Sequence, residues 1–508
     1  GYQRAMSRQK DRVMIYGAGS AGRQLAQALA NGDEFHPVMF IDDDSGLQNT
    51  SVLGLKVTGP EGIANAVREL DVQRILLALP STLRSRRRQI LDSLEQLPVK
   101  VQTVPGMSDM VNGDMSIDQL QDVRVEDLLG RDPVTPAPQL MEKHITGQTV
   151  LVTGAGGSIG SELCRQILQQ RPKVLVLYEL SEFALYAIER ELTQICQQQG
   201  IGAEIIPVIG TVQRRNRIET VLRTFAVDTV YHAAAYKHVP LVEYNMVEGV
   251  RNNVFGTWHT AEAAISAGVK QFVLISTDKA VRPTNVMGTT KRLSELVLQG
   301  LAQRQRGTRF SMVRFGNVLG SSGSVVPLFK EQIEHGGPVT VTHPDITRFF
   351  MTIPEAAQLV IQAGTMGHSG SVFVLDMGDS VKIVDLARKM IRLSGLEEKT
   401  EKNPHGDIAI EFSGLRPGEK LYEELLIGDN VEASDHPRIL RANEQSLSWD
   451  EMEKLLRLLD DACQRFAIDE LRQLLLDAPT GYAPLDDHIC DVIWNKHRTC
   501  SDDETDVA

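Results

Sequence analysis

The chain has 508 residues, 42% hydrophobic and 23% charged, an ordinary globular composition long enough for about three domains with their own cores. Its formal net charge of -13 excludes nucleic acid as a general partner, so any anionic ligand needs basic residues placed locally. Five cysteines (Cys164, Cys196, Cys463, Cys490, Cys500) show no CxxC or metal-ligand spacing, and neither disulfides nor a metal site is expected.

Residues 12 to 17 read as a short strand running into Gly17-Ala18-Gly19-Ser20-Ala21-Gly22 and a helical pattern from Gln24 to Leu29. A second strand, Pro37 to Ile41, closes on Asp42, about 20 residues past the glycines, as a dinucleotide-binding turn requires. A glycine turn serves plain helix-strand packing equally well, so a nucleotide ligand for this first domain stays open. Ile75 to Leu79 is another strand, and Arg84-Ser85-Arg86-Arg87-Arg88 reads as the solvated face of the helix after it, with a surface for an anionic partner as the alternative. Asp132-Pro133-Val134-Thr135-Pro136-Ala137-Pro138 is an extended hinge. It sets a first domain at 1–130 and a linker at 131–146.

A fuller βαβ pattern follows. Thr149 to Thr153 is a buried strand that turns through Gly154-Ala155-Gly156-Gly157-Ser158-Ile159-Gly160 into a helix from Glu162 to Leu168. Such glycines let the backbone approach a pyrophosphate, whose charge a helix N-terminus favours. The strand Val174 to Leu177 delivers Tyr178 and Glu179. A carboxylate there accepts both ribose hydroxyls and repels a 2′-phosphate, which points to NAD over NADP. Val227 to Ala235 ends in small residues, including Ala233 and Ala235, suited to a flat cofactor. Lys237 and His238 follow, the histidine read as packed or solvated rather than catalytic.

The apolar run Gln271 to Ile275 reads as a buried parallel strand, and Thr277, Asp278 and Lys279 follow it. Three proton-handling groups therefore stand at a strand's carboxyl end, where open α/β sheets bind their ligands. After Pro417 the chain reads as helical, with i, i+3, i+4 apolar spacing in Trp449 to Leu459 and Leu471 to Leu475. These helices are expected to pack on a substrate lobe or a neighbouring subunit. The tail Ser501 to Asp506 is acidic and expected to be disordered.

Thr153-Gly154-Ala155-Gly156-Gly157-Ser158-Ile159-Gly160 resembles the TGxxGxxG turn of extended short-chain dehydrogenase/reductases, and Lys291 stands where the lysine of their YxxxK motif falls. Thr277-Asp278-Lys279 and Arg416-Pro417-Gly418-Glu419-Lys420 narrow the resemblance to the large bacterial nucleotide-sugar 4,6-dehydratases. Those enzymes act on UDP-N-acetylglucosamine for surface polysaccharide or glycoprotein glycans. The likeness runs from residue 10 to 480, with its specific motifs between 150 and 425. It implies an α/β fold of two Rossmann-like doubly wound parallel-sheet domains, the second carrying a small α/β substrate lobe and C-terminal helices. The implied limits are 147–430 for an NAD-binding dehydratase domain, 431–480 for a helical appendage and 481–508 for a tail. It also implies a homo-oligomer, held on the cytoplasmic face of the bacterial inner membrane by N-terminal transmembrane helices. No run of about 18 apolar residues occurs here, so the chain is expected to begin after such a segment.

The resemblance assigns roles residue by residue. Thr277, Asp278, Lys279, Met287 and Lys291 are the implied catalytic set. NAD falls to Gly154, Gly156, Gly157, Ser158, Ile159, Gly160, Glu179, Ala233, Ala235 and Lys291. The UDP-sugar falls to Lys237, Asn317, Arg348, Arg416 and Glu419, with the arginines as planar donors for phosphate oxygens. The implied reaction oxidises C4 and eliminates water across C5 and C6, with Lys279 as base and Asp278 as acid. It then returns the hydride to C6. Two positions depart from the pattern: Met287 replaces the YxxxK tyrosine, and a thioether exchanges no proton, while Thr211 stands where relatives carry an aspartate. The rival readings are a UDP-sugar 4-epimerase and a catalytically inactive NAD-sensing regulator.

Overall fold

The computed structural model describes residues 10–104, 120–129, 131–425 and 431–497. They form two compact units, one drawn from Gly1–Pro133, Gly323–Pro344 and Lys382–Ser413, the other from Val134–Ser322, Asp345–Val381 and Gly414–Ala508.

The first unit is built on a seven-stranded sheet in the order Ser51–Val52, Leu55–Thr58, Phe35–Ile41, Asp11–Tyr16, Arg74–Leu77, Lys100–Thr103, Gln121–Asp122. Val13, Ile15, Leu25, Leu29, Phe40 and Leu76 make its core, and Asp42 Oδ2 accepts from the Ala18 amide at 2.7 Å, tying the acidic residue to the glycine turn. The basic cluster is less bare than expected. On the helix Arg84–Leu94, Arg86 pairs with Asp43 at 2.7 Å and Arg87 with Asp127 at 3.3 Å. Gly323–Pro344 and Lys382–Ser413, expected in the dehydratase domain, belong to this unit. The physical reason is the amphipathic helix Ile383–Leu393, which buries Ile383, Leu386 and Ile391 and pairs Lys389 with Asp92 and Arg392 with Glu95.

In the second unit the strands are β1 (Thr149–Thr153), β2 (Val174–Glu179), β3 (Glu204–Ile209), β4 (Thr229–His232), β5 (Gln271–Ile275), β6 (Arg309–Arg314), β7 (Ser371–Leu375), β8 (Val431–Ala433) and β9 (Ile439–Ala442). They lie in one sheet in the order β3-β2-β1-β4-β5-β6-β7-β9-β8. The first seven run parallel, and β9 and β8 add antiparallel. All five residues of β1 are buried, because apolar clusters cover both faces of the sheet. The helices that matter to the site are α1 (Ser158–Gln169), α2 (Glu182–Gln199) and α3 (Val286–Arg304). Two of them begin on a local signal: Ser181 caps α2 by accepting from the Ala184 amide, and Asn285 caps α3 by accepting from the Gly288 amide at 2.7 Å.

The helix expected directly after Pro417 does not form. Gly418 takes φ +74°, and its carbonyl accepts from Thr284 Oγ1 and Asn285 Nδ2, each at 3.1 Å. The Gly418 carbonyl is therefore spent on the residues that open α3, and the Leu421 carbonyl on the Thr347 amide, instead of on helix. Residues 431–480 are likewise no separate appendage, since β8 and β9 extend the sheet, α4 (Trp449–Gln464) packs on α3, and α5 (Ile468–Asp477) packs on α4. Met452, Leu456, Leu459 and Leu471 share one apolar cluster with Leu293, Leu296 and Val297, and Arg304 lies over the Trp449 ring. That apolar seam, rather than a substrate lobe, is what the helical spacing encodes. Tyr482 and Ile489 join the same cluster, so the tail is docked at least that far, while Cys500 and the acidic stretch 501–506 lie outside the described residues. Among the described residues no helix is long and apolar enough to cross a membrane.

Candidate active site

The strand order turns back between β1 and β4, the point in a doubly wound sheet where loops diverge and leave a crevice. A cleft of about 300 Å3 lies there, lined by Gly154, Gly156, Gly157, Glu179 and Ala233 to Ala235 among others. Gly154 has φ +63°, and a Cβ on it would lie 2.8 Å from Ala234 Cα, so only glycine lets the turn after β1 meet the loop after β4. Gly160 does not line the cleft. It lets α1 pack on the turn, since its Cβ would stand 2.0 Å from the Gly154 carbonyl oxygen.

Glu179 ends β2 at the rim, where Oε2 accepts from the Gly156 amide at 2.9 Å and Oε1 from the Ser181 amide at 3.0 Å. Thr211 also lines the cleft, and its carbonyl accepts from the Tyr178 hydroxyl at 2.9 Å. Ser158 and Ile159 open α1, and Ser158 Oγ accepts from the Ser322 amide at 3.4 Å. Lys237 Nζ donates to the Ser322 carbonyl at 3.3 Å from an exposed position. One structural device was invisible in the sequence. A π-turn over Arg251–Phe255 brings Asn252 to the cleft and lets Asn253 Nδ2 donate to the Tyr236 carbonyl at 2.9 Å and to Thr290 Oγ1 at 3.0 Å.

The proton-handling groups gather past the end of β5. Thr277 caps a single turn over Asp278–Ala280, and its hydroxyl donates to Asp278 Oδ1 at 3.1 Å. Asp278 is 1% exposed. Lys279 Nζ donates to Asp278 Oδ1 and to Asn317 Oδ1, both at 3.1 Å, and stands 3.8 Å from Glu423 Oε1. Burial alone would drive the proton off Lys279, but the charges of Asp278 and Glu423 override it and raise the pKa above the ordinary lysine value. The resting group is an ammonium. Glu423, absent from the residues proposed on sequence, is pushed up by burial against the pull of Lys279. Among the described residues, Asp278 Oδ2 and Glu423 Oε2 are buried without a hydrogen-bond partner. Adjoining them, Arg348 Nη2 donates to Glu419 Oε1 at 3.1 Å. Arg416 is not drawn in: its amide donates to Glu419 Oε2 at 3.0 Å, while the residue is exposed.

On α3, Met287 is 3% exposed within the apolar cluster, one turn before Lys291. Lys291 Nζ donates to the Ile275 carbonyl at 2.7 Å, and burial brings its pKa down to about 8 despite the nearby Glu295. His232 sits between Thr153 Oγ1 at 2.8 Å and Thr257 Oγ1 at 3.1 Å, and burial, helped by Lys291, holds it down to about 3. It stays neutral. Behind the strand, Ser276 Oγ donates to Glu295 Oε1 at 2.6 Å, and Arg314 grips both Glu295 oxygens at 2.8 and 2.6 Å. Burial pushes Glu295 up, but the arginine prevails and sets it down to about 2. The backbone that presents Thr277 is thus anchored through a buried ion network.

Fold and site together define an α/β protein of the short-chain dehydrogenase/reductase type, with its ligand cleft at the sheet's switch point. The chain belongs to the family described as "Polysaccharide biosynthesis protein", which it matches over residues 150–444. Residues 1–105 match a family described as "CoA-binding domain". The chain is 48% identical over 434 residues to the capsular polysaccharide biosynthesis protein CapD of Staphylococcus aureus, covering 85% of this chain and 70% of that protein. It is 31% identical over 288 residues to an inverting UDP-N-acetylglucosamine 4,6-dehydratase of Campylobacter jejuni, covering 56% and 79% respectively. A UDP-glucose 4-epimerase of Rickettsia canadensis is also 31% identical, over 342 residues, covering 65% of this chain and 95% of the epimerase.

Proposed function

We propose that the protein carries out NAD-dependent 4,6-dehydration of UDP-N-acetylglucosamine, giving the UDP-4-keto-6-deoxy sugar for surface polysaccharide or glycan synthesis. The cleft fits a dinucleotide on its own terms: a glycine turn with no room for Cβ atoms, opposite a wall of alanines, with the Glu179 carboxylate at its rim. Glu179 would accept from the adenosine ribose hydroxyls, and Lys291 would bind the nicotinamide ribose. NAD held there would supply the acceptor for the C4 hydride and the donor for its return to C6.

The chain's own residues handle the protons. Thr277 receives the O4 hydroxyl and relays its proton to Asp278 Oδ1, the oxygen to which it already donates. The new ketone acidifies the C5 hydrogen, so Lys279, once neutral, can remove it while protonated Asp278 gives its proton to the departing C6 hydroxyl. Asn317 orients Lys279 Nζ, and Arg348, Arg416, Glu419 and Lys237 are assigned to the UDP moiety. Burial of Asp278 beside Lys279, with Oδ2 unpartnered, is the observation that carries this reading. An epimerase has no hydroxyl to expel and no need of that pair.

Incubation with UDP-N-acetylglucosamine and NAD is expected to yield a product lighter by one water in mass spectrometry. Unchanged mass with C4 inversion would establish the epimerase, and untouched substrate the regulator. Lys279→Ala is expected to lose about 10²- to 10⁴-fold in turnover and to keep NAD binding by calorimetry.

A further inference from the structure

Resting on the dehydratase reading, a count of protons exposes a gap that Asp278 and Lys279 cannot close between them. Oxidation at C4 sends a hydride to the nicotinamide and releases the O4 proton, which Thr277 can pass to Asp278. Elimination then needs Asp278 protonated and Lys279 neutral at the same moment. Yet Lys279 starts as an ammonium, and Asp278 has just been filled. The proton on Lys279 needs a third place to go.

We propose that Glu423 is that place: a residue acting through Lys279, whose carboxylate takes the lysine's proton before elimination and returns it afterwards. Its Oε1 is 3.8 Å from Lys279 Nζ, and its Oε2 is buried without a partner among the described residues. The residue is 8% exposed, so bulk water is a poor competitor for the proton. Burial already biases the carboxyl toward its protonated form. Lys279 is faced by Asp278 beside it in the same turn, Asn317 from the strand Asn317–Leu319, Arg348 from Thr347–Arg348, and Glu423 itself. Lys420 adds its charge on the Glu423 side. Of these, only Glu423 is an unfilled acid-base group once Asp278 holds the O4 proton.

The cycle balances. With Asp278 and Glu423 protonated and Lys279 neutral, the C5-H bond breaks to Lys279 and the C6-O bond breaks with the Asp278 proton, releasing water. The hydride then closes on C6, Lys279 returns its proton to C5, and Glu423 reprotonates Lys279. The resting cation and two carboxylates are restored.

Glu423→Gln keeps the shape and removes the proton site. In this variant the C4 oxidation, read as a burst of NADH absorbance, is expected to persist while water loss falls about 10²- to 10⁴-fold. Its residual dehydration is expected to rise toward alkaline pH, as Lys279 sheds its proton to solvent, with no such rise in the wild type. Glu423→Asp is expected to restore part of the rate. A readout without substrate follows Lys279 directly, as the pH dependence of its acetylation by acetic anhydride, with the modified peptide quantified by mass spectrometry. Its midpoint is expected to move down by one pH unit or more in Glu423→Gln, because the carboxylate charge is gone. Wild-type water loss at the same rate in Glu423→Gln, or an unmoved Lys279 midpoint, overturns the inference. So does loss of the NADH burst together with a lowered melting temperature, which would mark Glu423 as structural. If the wild type itself expels no water but the Lys279 midpoint still moves, the dehydratase reading fails while the coupling between the two residues stands.

Discussion

Gly316→Ala tests whether the placement of Asp278, rather than its mere presence, drives the chemistry. Gly316 lies beside the carboxylate, and an alanine Cβ there would be 2.9 Å from Asp278 Oδ2, 3.2 Å from Phe349 Cβ and 3.3 Å from Met377 Cε. Relaxed contacts of this kind lie near 3.5 Å, so the carboxylate must retreat by about 0.6 Å. It cannot take its backbone along, because the Asp278 amide is bonded to the Phe315 carbonyl at 3.0 Å. A misplacement of about 1 Å costs roughly 10²-fold in rate, so a loss of about tenfold in turnover is expected. The overpacking itself should cost about 1–3 kcal/mol, a melting temperature lower by several degrees but a folded protein at 25 °C. Dehydration is followed by mass spectrometry, folding by calorimetric melting and NAD binding by titration, which should be unchanged because Gly316 is not among the residues of the dinucleotide cleft. Full turnover in a variant with that melting shift would refute the argument that Asp278 Oδ2 must stay where it is.

Two further variants probe the buried charges. Lys291 has its folded pKa lowered from 10.5 to about 8, so below pH 8 its buried charge costs stability in full; between about 8 and 10.5 the folded state sheds the proton first and stability rises, by up to about 3 kcal/mol. Lys291→Met is expected to lack that rise in urea titrations at pH 7.5 and 10 and to bind NAD more weakly; equal pH slopes in the two proteins would show that Lys291 is not buried as a charge. Glu295→Gln leaves Arg314 and Arg292 short of a buried counter-ion, with an expected loss of about 3–5 kcal/mol in unfolding free energy. The Glu295 pKa is lowered from 4.5 to about 2, so its contribution is complete above pH 4.5 and fades as pH falls toward 2. The gap between wild type and variant should therefore narrow in acid, and a gap constant with pH would contradict the ion network.

What was legible in the sequence is what depends on short range. The glycine turn after β1, the carboxylate at the end of β2 and the Thr277-Asp278-Lys279 run are local patterns tied to strand ends, and the parallel order of the sheet follows from alternating strands and helices. Glu423 was not legible, because nothing in Tyr422-Glu423-Glu424 distinguishes a buried proton site from a solvated glutamate. Only the docking of residues 416–425 against the start of α3 turns it toward Lys279. The same docking explains the misread helix after Pro417. A local propensity lost to side-chain hydrogen bonds, from Thr284 and Asn285 to the Gly418 carbonyl, that reach more than a hundred residues along the chain. Gly323–Pro344 and Lys382–Ser413 were misassigned for a related reason, since their partners in the first unit are hundreds of residues away in sequence.

On the dehydratase reading, Met287 accounts for a redistribution of the acid-base work. A phenol at this position would need a hydrogen-bond partner for its hydroxyl, whereas the methionine is 3% exposed among Val286, Leu293 and other apolar neighbours and asks for none. Removing the phenol removes one proton acceptor from the site. It leaves Lys291 a binding task, consistent with an ammonium tied to the Ile275 carbonyl. The O4 proton must then leave by the hydroxyl that remains, Thr277, and the side-chain acceptor it reaches is Asp278 Oδ1 at 3.1 Å. In the proposed cycle, filling Asp278 so early is what would make it ready as the acid for the C6 hydroxyl. By the same step Lys279 loses its nearest proton acceptor. A methionine on α3 and a proton-holding glutamate at 423 are, on this reasoning, two consequences of one rearrangement.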